Sequence, residues 1–176
     1  YKVIGRFESA TDFYYKNADG DVVPTALPEG MTISKNSMWI GDYIFEDINR
    51  DGVIDEQDRT FIGNPEPKFT FGIGNSFSYK NFDLSVYLSG SYGNEVINWV
   101  RRDLQNPREN TNLLTSALDY AKLGLINSGG LDDYRNVQII GGDKHASRMA
   151  ASSATNVSNF RFSNRFIEDG SFLRIQ

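Results

Sequence analysis

From Lys68 to Tyr92 apolar and polar side chains alternate almost without a break. Phe69, Phe71, Ile73, Phe77 and Tyr79 hold one parity, interrupted only by Asn75, while Lys68, Thr70, Gly72, Gly74, Ser76 and Ser78 hold the other. A period of two over such a length predicts a β-strand with one apolar face. After Lys80-Asn81 the alternation resumes, with Phe82, Leu84, Val86, Leu88 and Tyr92 on one face and Asp83, Ser85, Tyr87, Ser89 and Ser91 on the other. The pattern predicts a β-hairpin with a very tight turn. Each arm runs to about eleven residues, near the ~9–11 that a tilted strand needs to cross a bilayer and above the ~5–6 usual in globular proteins. The polar face is rich in Gly and Ser rather than Lys and Glu. Aromatics gather at the arm ends, Phe69, Phe71 and Tyr92 at one and Tyr79 and Phe82 at the other. Both features suit a membrane barrel strand, with a crowded or watery lumen on one side and aromatic girdles at the interfaces. A long hairpin in a soluble sandwich fits the same alternation.

The rest of the chain is less regular. Residues 1–8, "YKVIGRFE", read as a strand, and 9–37 as a long loop dense in Gly, Pro, Asn, Asp and Ser. "MWIGDYIFE" (38–46) predicts a short strand, and "IGNPEP" (62–67) an extended, turning linker. Residues 93–165 form a long polar region. Within it "NTNLLTSALDYAKLGL" (110–125) spaces Leu114, Ala117, Leu118 and Ala121 as one helix face, with Asn110 or Thr111 as N-cap and Gly124 as C-cap. "NRFIEDGSFLRIQ" returns to extended structure with a bend at "EDG". A long region, a strand, a tight turn, a strand and another long region repeat the asymmetry of outer-membrane barrels, whose periplasmic turns are short and outer loops long. Both chain ends read as cuts in a longer sequence.

Composition removes several classes. With 18 basic and 23 acidic residues the net charge is −5, and no basic run exists, so nucleic acid is not an expected partner. Cysteine is absent, which excludes disulfides, thiolate metal sites and a Cys nucleophile. No stretch of 18 apolar residues is present, which excludes a membrane-spanning helix but not barrel strands.

One motif carries metal chemistry. "DINRDGVIDEQD" (47–58) numbers as a 12-residue calcium loop, with Asp47, Asn49 and Asp51 at positions 1, 3 and 5 and Gly52 at the sharp turn. Val53 would give its carbonyl at position 7, and Asp55 and Asp58 stand at positions 9 and 12. Ile54 is the apolar anchor beneath the loop. A hard cation takes six to eight oxygens, and this set supplies them with water. Asp58 in place of Glu, Arg50 inside the loop and extended flanks all depart from a helix-loop-helix sensor. An Asx-rich turn that bonds its own backbone fits the same residues. "GIGNSF" (72–77) fails as a dinucleotide fingerprint because it lies inside a strand. His145 reads as a surface residue, and Asp132/Asp133 and Glu168/Asp169 read as solvated loop charge rather than glycosidase carboxylates. Asn156-Val157-Ser158 matches a glycosylation acceptor.

The run "GDYIFEDINRDGVIDEQDRTFIGNPEPKFTFGIGNSFSYKNFDLSVYLSGSYGNEVIN" (41–98) resembles the C-terminal barrel region of SusC/RagA-type TonB-dependent outer-membrane transporters, and the closing "RFIEDGSFLRI" resembles that family's next barrel segment. The family usually has Gly where this chain has Arg50. The resemblance implies an all-β fold, a fragment of a large antiparallel transmembrane β-barrel whose long extracellular loops contain a short helix. Residues 1–67 would be a strand and an extracellular loop holding the calcium-type loop, 68–92 the membrane hairpin, 93–165 extracellular, and 166–176 the start of the next strand. The plug and TonB-contacting segment fall outside these residues. The implied function is energy-coupled import of oligosaccharides or peptides across the bacterial outer membrane, with a SusD-like surface lipoprotein, the TonB complex and outer-membrane lipid as partners. No catalytic residue and no cofactor beyond a structural Ca2+ are implied. The alternative is a soluble calcium-stabilised β-sandwich surface module that binds carbohydrate.

Overall fold

The computed structural model describes residues 1–106, 112–148 and 158–176. The chain divides into two compact units, one of Tyr1–Phe61 with Trp99–Arg165, the other of Ile62–Asn98 with Phe166–Gln176. Strands in chain order are β1 (Val3–Arg6), β2 (Tyr14–Lys16), β3 (Val22–Pro24), β4 (Leu27–Pro28), β5 (Tyr43–Phe45), β6 (Val53–Ile54), β7 (Phe69–Tyr79) and β8 (Phe82–Tyr92). They continue as β9 (Glu95–Ile97), β10 (Lys122–Leu125), β11 (Val137–Gly141), β12 (Ile167–Asp169) and β13 (Phe172–Ile175). The fold is all-β, with one short α-helix, α1 (Trp99–Leu104), among the described residues. That helix is far too short to cross a membrane.

The first unit is a set of two-stranded pairs around a small aromatic core. The expected strands at 1–8 and 38–46 are there as β1 and β5, which pair antiparallel. Phe7 stacks on Phe13 with centroids 4.2 Å apart, and Met38, Trp39, Ile40 and Val137 complete a buried cluster. A second cluster holds Ala26, Tyr43, Phe45 and Ile54. The stretch 9–37, expected as loop, contains the β2–β3 hairpin. Its turn is closed by Asn17, whose Oδ1 accepts the backbone N–H groups of Asp19 and Asp21. Three-residue strands are too short to print a period on the sequence.

The expected helix at 110–125 is overturned. Residues 107–111, with both proposed N-caps, lie outside the described residues, 115–119 is a single 3-10 turn, and 122–125 is β10, paired with β11. Leu118 is 67% exposed, so the supposed apolar stripe faces no core. Long-range backbone bonds decide the matter. Ala121 N–H donates to the carbonyl of Ser147 at 2.9 Å, and Asp143 N–H to that of Asp119 at 2.9 Å. Gly124, read as a C-cap, lies inside β10. The helix that does form, α1, has no apolar period of its own.

In the second unit β13, β8 and β7 form an antiparallel three-stranded sheet in that order, while β12 pairs with β9. The hairpin arms are eleven residues each, and Lys80-Asn81 make the turn, with Lys80 in the left-handed region at φ 54°, uncommon for a residue other than glycine. The sheet is open among the described residues, with β13 and β7 at its edges.

Candidate functional site

The hairpin register sorts the side chains onto two faces. It runs one to one from Phe69 opposite Tyr92, through Ile73 opposite Leu88, to Tyr79 opposite Phe82. Odd residues of β7 therefore share a face with even residues of β8, because partners across a ladder point the same way. β13 adds to it, since Leu173 lies opposite Gly90 and Ile175 opposite Leu88. This face carries no charged residue across three strands. Asn75 is its single amide, set opposite Val86. The face is also uncovered within the structure: Ile73 is 52% exposed and Phe82 79%. Contiguous apolar surface on this scale needs a partner or a membrane.

The other face is mostly small and polar, with Phe172 of β13 opposite Ser91. Thr70 faces Ser91, Gly72 faces Ser89 and Ser76 faces Ser85, with the Ser76 and Ser85 hydroxyls 3.0 Å apart. Tyr87 fills the space over the glycines, its ring 3.6 Å from where a Gly74 Cβ would lie. Asp83 and Arg174 are the charged residues on this side of the three strands. One glycine works for the apolar side. A Cβ on Gly90 would meet the Phe172 carbonyl at 2.5 Å and the Phe71 ring at 2.7 Å, so close approach of β13 and the seating of Phe71 both require glycine there.

The calcium-type loop of the first unit is closed by its own hydrogen bonds. Asp47 accepts the backbone N–H of Arg50 through Oδ1 at 2.6 Å and that of Gly52 through Oδ2 at 2.9 Å. Asn49 Oδ1 accepts from Asp51 N, Asp51 Oδ1 from Val53 N, and Asp55 Oδ1 from Gln57 N. Arg50 and Gly52 both take positive φ, which gives the loop its sharp reversal. Asp58 is fully buried, and its two oxygens accept from Ile48 N at 2.8 Å and Asp55 N at 2.9 Å. Ile54 beneath the loop is fully buried as well. Asp47, Asn49, Asp51, Asp55 and Asp58 are thus the Asx turns and caps of an ordered loop. Among the described residues no group of three or more acidic or histidine side chains converges on a metal position. Each of these carboxylate oxygens keeps acceptor capacity after one N–H bond.

Pattern reasoning missed a buried ion pair. Asp42 is fully buried, and its Oδ1 accepts Arg148 Nε at 2.8 Å and Asn159 Nδ2 at 2.7 Å. Its Oδ2 accepts Arg148 Nη2 at 3.0 Å and Trp39 N at 2.8 Å. Arg148 also donates to the carbonyls of Lys35 and Ser37, and its backbone N–H to that of Gly41. Burial pushes the Asp42 carboxyl above the ordinary range, while the Arg148 guanidinium and the Asn159 and Trp39 donors pull it back. Gly41, at φ 91°, leaves no room for a Cβ, which would stand 2.9 Å from that of Arg148. "GD" and "SR" a hundred residues apart give no local signal of this contact.

The minor candidates sit apart. His145 is exposed, its N–H donating to Asp143 Oδ1. Asp132 pairs with Lys35, and Asp133 caps the turn at 134–136 through Arg135 N. Glu168 accepts from Asn98 Nδ2, and Asp169 from Ser171. Asn156 and Val157 lie outside the described residues.

Comparison with known proteins relates these features to a class. No family model matches the chain. Over 110 residues, 62% of its length, it is 30% identical to the TonB-dependent receptor P3 of Formosa agariphila. Over 59 residues, 34% of its length, it is 44% identical to the TonB-dependent receptor P26 of the same organism. The matches cover 11% and 6% of those relatives, so the chain spans only a small part of their length. The chain is homologous to part of the TonB-dependent receptors, which are transporters rather than enzymes. The expectation of a non-enzymatic role agrees with that homology.

Proposed function

We propose that this chain is a stretch of the barrel of a SusC/RagA-type TonB-dependent transporter in the bacterial outer membrane. It takes part in energy-coupled import of oligosaccharides or peptides, with a SusD-like lipoprotein outside and the TonB complex acting from the periplasm. In this proposal 68–92 is the membrane hairpin, its Lys80-Asn81 turn is periplasmic, and 1–67 and 93–165 lie outside the cell. Residues 166–176 return as the next strand.

The observation that carries the proposal is the charge-free apolar face of β7, β8 and β13. An eleven-residue strand is about 37 Å long, and a ~45° tilt brings its height to about 26 Å, against an apolar band of ~25 Å in outer-membrane barrels. The homology to TonB-dependent receptors supports the outer-membrane setting and the general role in uptake. Nothing favours the soluble sandwich, since the described residues hold one three-stranded sheet and otherwise two-stranded pairs. Calcium belongs to the proposal as a structural clip held by Asp47, Asn49, Asp51, the Val53 carbonyl, Asp55 and Asp58. Their own bonds already shape the loop, so the ion would stiffen it rather than switch it.

These 176 residues contain no cysteine, so single cysteines introduced here can be read in a full-length background freed of any other cysteine. Cysteines placed singly at 70–78 in the full-length protein should alternate. Positions 71, 73, 75 and 77 should react with a lipid-dissolved reagent, and 70, 72, 74 and 76 with a water-soluble maleimide. Uniform labelling by the water-soluble reagent would overturn the membrane assignment.

A further inference from the structure

We propose that the cavity beside the β2–β3 hairpin, with Lys16 and Arg50 on its walls, binds a small organic acid, a single carboxylate carried on an apolar body. This goes beyond the transport proposal and does not depend on it, because every wall residue belongs to the first unit. The cavity measures ≈ 660 Å³, within the size range of small-molecule sites. β1 and β5 supply one wall through Ile4, Ile44 and Phe45, and the hairpin supplies another through Tyr15, Lys16 and Asn17. Asp47 and Arg50 of the 47–58 loop line it as well. Ile4 and Tyr15 are each more than half exposed, so their apolar surface is open to the body of a ligand.

The charges on these walls divide into acids already engaged and cations that are not. Asp12 Oδ2 accepts the backbone N–H groups of Glu8 and Ser9 at 2.7 and 2.8 Å, and Glu46 pairs with Lys2 at 3.0 Å. Asp47 holds the N–H groups of Arg50 and Gly52. Among the described residues the Lys16 ammonium and the Arg50 guanidinium make no hydrogen bond or ion pair. Asn17 spends its Oδ1 on the hairpin turn, and its Nδ2 donors have no acceptor among the described residues. Arg50 stands at φ 62°, a conformation that glycine takes freely and a residue with a Cβ does not, so the turn itself gains nothing from an arginine. Its side chain lies on the cavity wall. A guanidinium offers two parallel N–H donors to a carboxylate, and a lysine adds a point charge. Three carboxylates on the same walls repel a second negative charge, which selects a monoanion over a phosphate dianion. The surface of Ile4, Ile44 and Tyr15 takes the uncharged body, which sets the ligand apart from a bare carboxylate.

Isothermal titration of the full-length protein in detergent, with calcium held constant, tests this. N-acetylphenylalanine carries both the carboxylate and the apolar body, its primary amide the body alone, acetate the charge alone, and phenyl phosphate a dianion on a similar ring. The acid should bind saturably, and the amide, acetate and phenyl phosphate each about tenfold more weakly or worse. Arg50→Gly keeps the turn, since glycine suits φ 62°, and should weaken binding of the acid about tenfold while leaving that of the amide unchanged. No saturable binding of the acid would overturn the proposal, as would any of the other probes binding as tightly as the acid. An affinity for the acid unchanged in Arg50→Gly, or a parallel fall for acid and amide, would overturn it too. The alternation of cysteine labelling along β7 is a separate measurement, so failure here leaves the membrane assignment standing.

Discussion

Ile73→Arg is the most informative single perturbation of the sheet. Ile73 is the fifth of the eleven residues of β7, close to mid-strand, on the face shared with Leu88 and Ile175. If that face meets lipid, a guanidinium there is buried near mid-depth at a cost of ~2–4 kcal/mol. The same range is a factor of roughly 30 to 1,000 in the equilibrium between assembled and unassembled barrel. Cost should fall with distance from the middle, to about 0–1 kcal/mol near the interfaces. Phe69→Arg and Phe82→Arg, at the two ends of the arms, should therefore be much milder than Ile73→Arg or Val86→Arg. Ser85→Arg supplies the control, because it adds the same charge to the opposite face, beside Ser76. The assay is the folded fraction of full-length protein in outer-membrane preparations, read from the mobility difference between unheated and boiled samples. The reasoning would be refuted if Ile73→Arg and Ser85→Arg assembled equally well, or if end and middle positions on the apolar face tolerated arginine alike.

Three further outcomes are expected. Arg148→Met should destabilise the first unit by ~3–5 kcal/mol by leaving the Asp42 carboxylate buried without its cation. Burial already raises that carboxyl in the folded state and the variant raises it further, so the folded form holds the proton more tightly than the unfolded chain. The loss should then be greatest near neutral pH and shrink as pH falls toward the ordinary carboxyl range of ~4; denaturation of wild type and variant at two pH values measures it. Gly90→Val should displace the Phe71 ring and separate β13 from β8, seen as faster hydrogen exchange at Tyr87 and Gln176, which exchange their backbone hydrogen bonds across the two strands. Asp47→Ala removes the acceptors of two backbone N–H groups and should open the loop to protease. Calcium should protect the wild-type loop and not the variant; a calcium titration that protects both alike would remove Asp47 from the proposed ligand set.

The hairpin was legible in the sequence because a strand with one lipid-type face repeats every two residues. Parity alone placed Phe69–Tyr79 and Phe82–Tyr92 on a common face, and the register agrees residue by residue. The loop at 47–58 was legible for a similar reason, since Asx side chains bond backbone groups two to five residues away. What the sequence left open depends on partners far along the chain. Lys122–Leu125 is a strand because Val137–Gly141 lies beside it, and a helical spacing of leucines could not reveal that competitor. Asp42 is a buried anion because Arg148 and Asn159 reach it through long-range folding. Local periodicity reports the solvent on each side of an element. Only tertiary structure decides which distant charges share a site, because each charged pair is specified by distance in space, and the sequence records only separation along the chain.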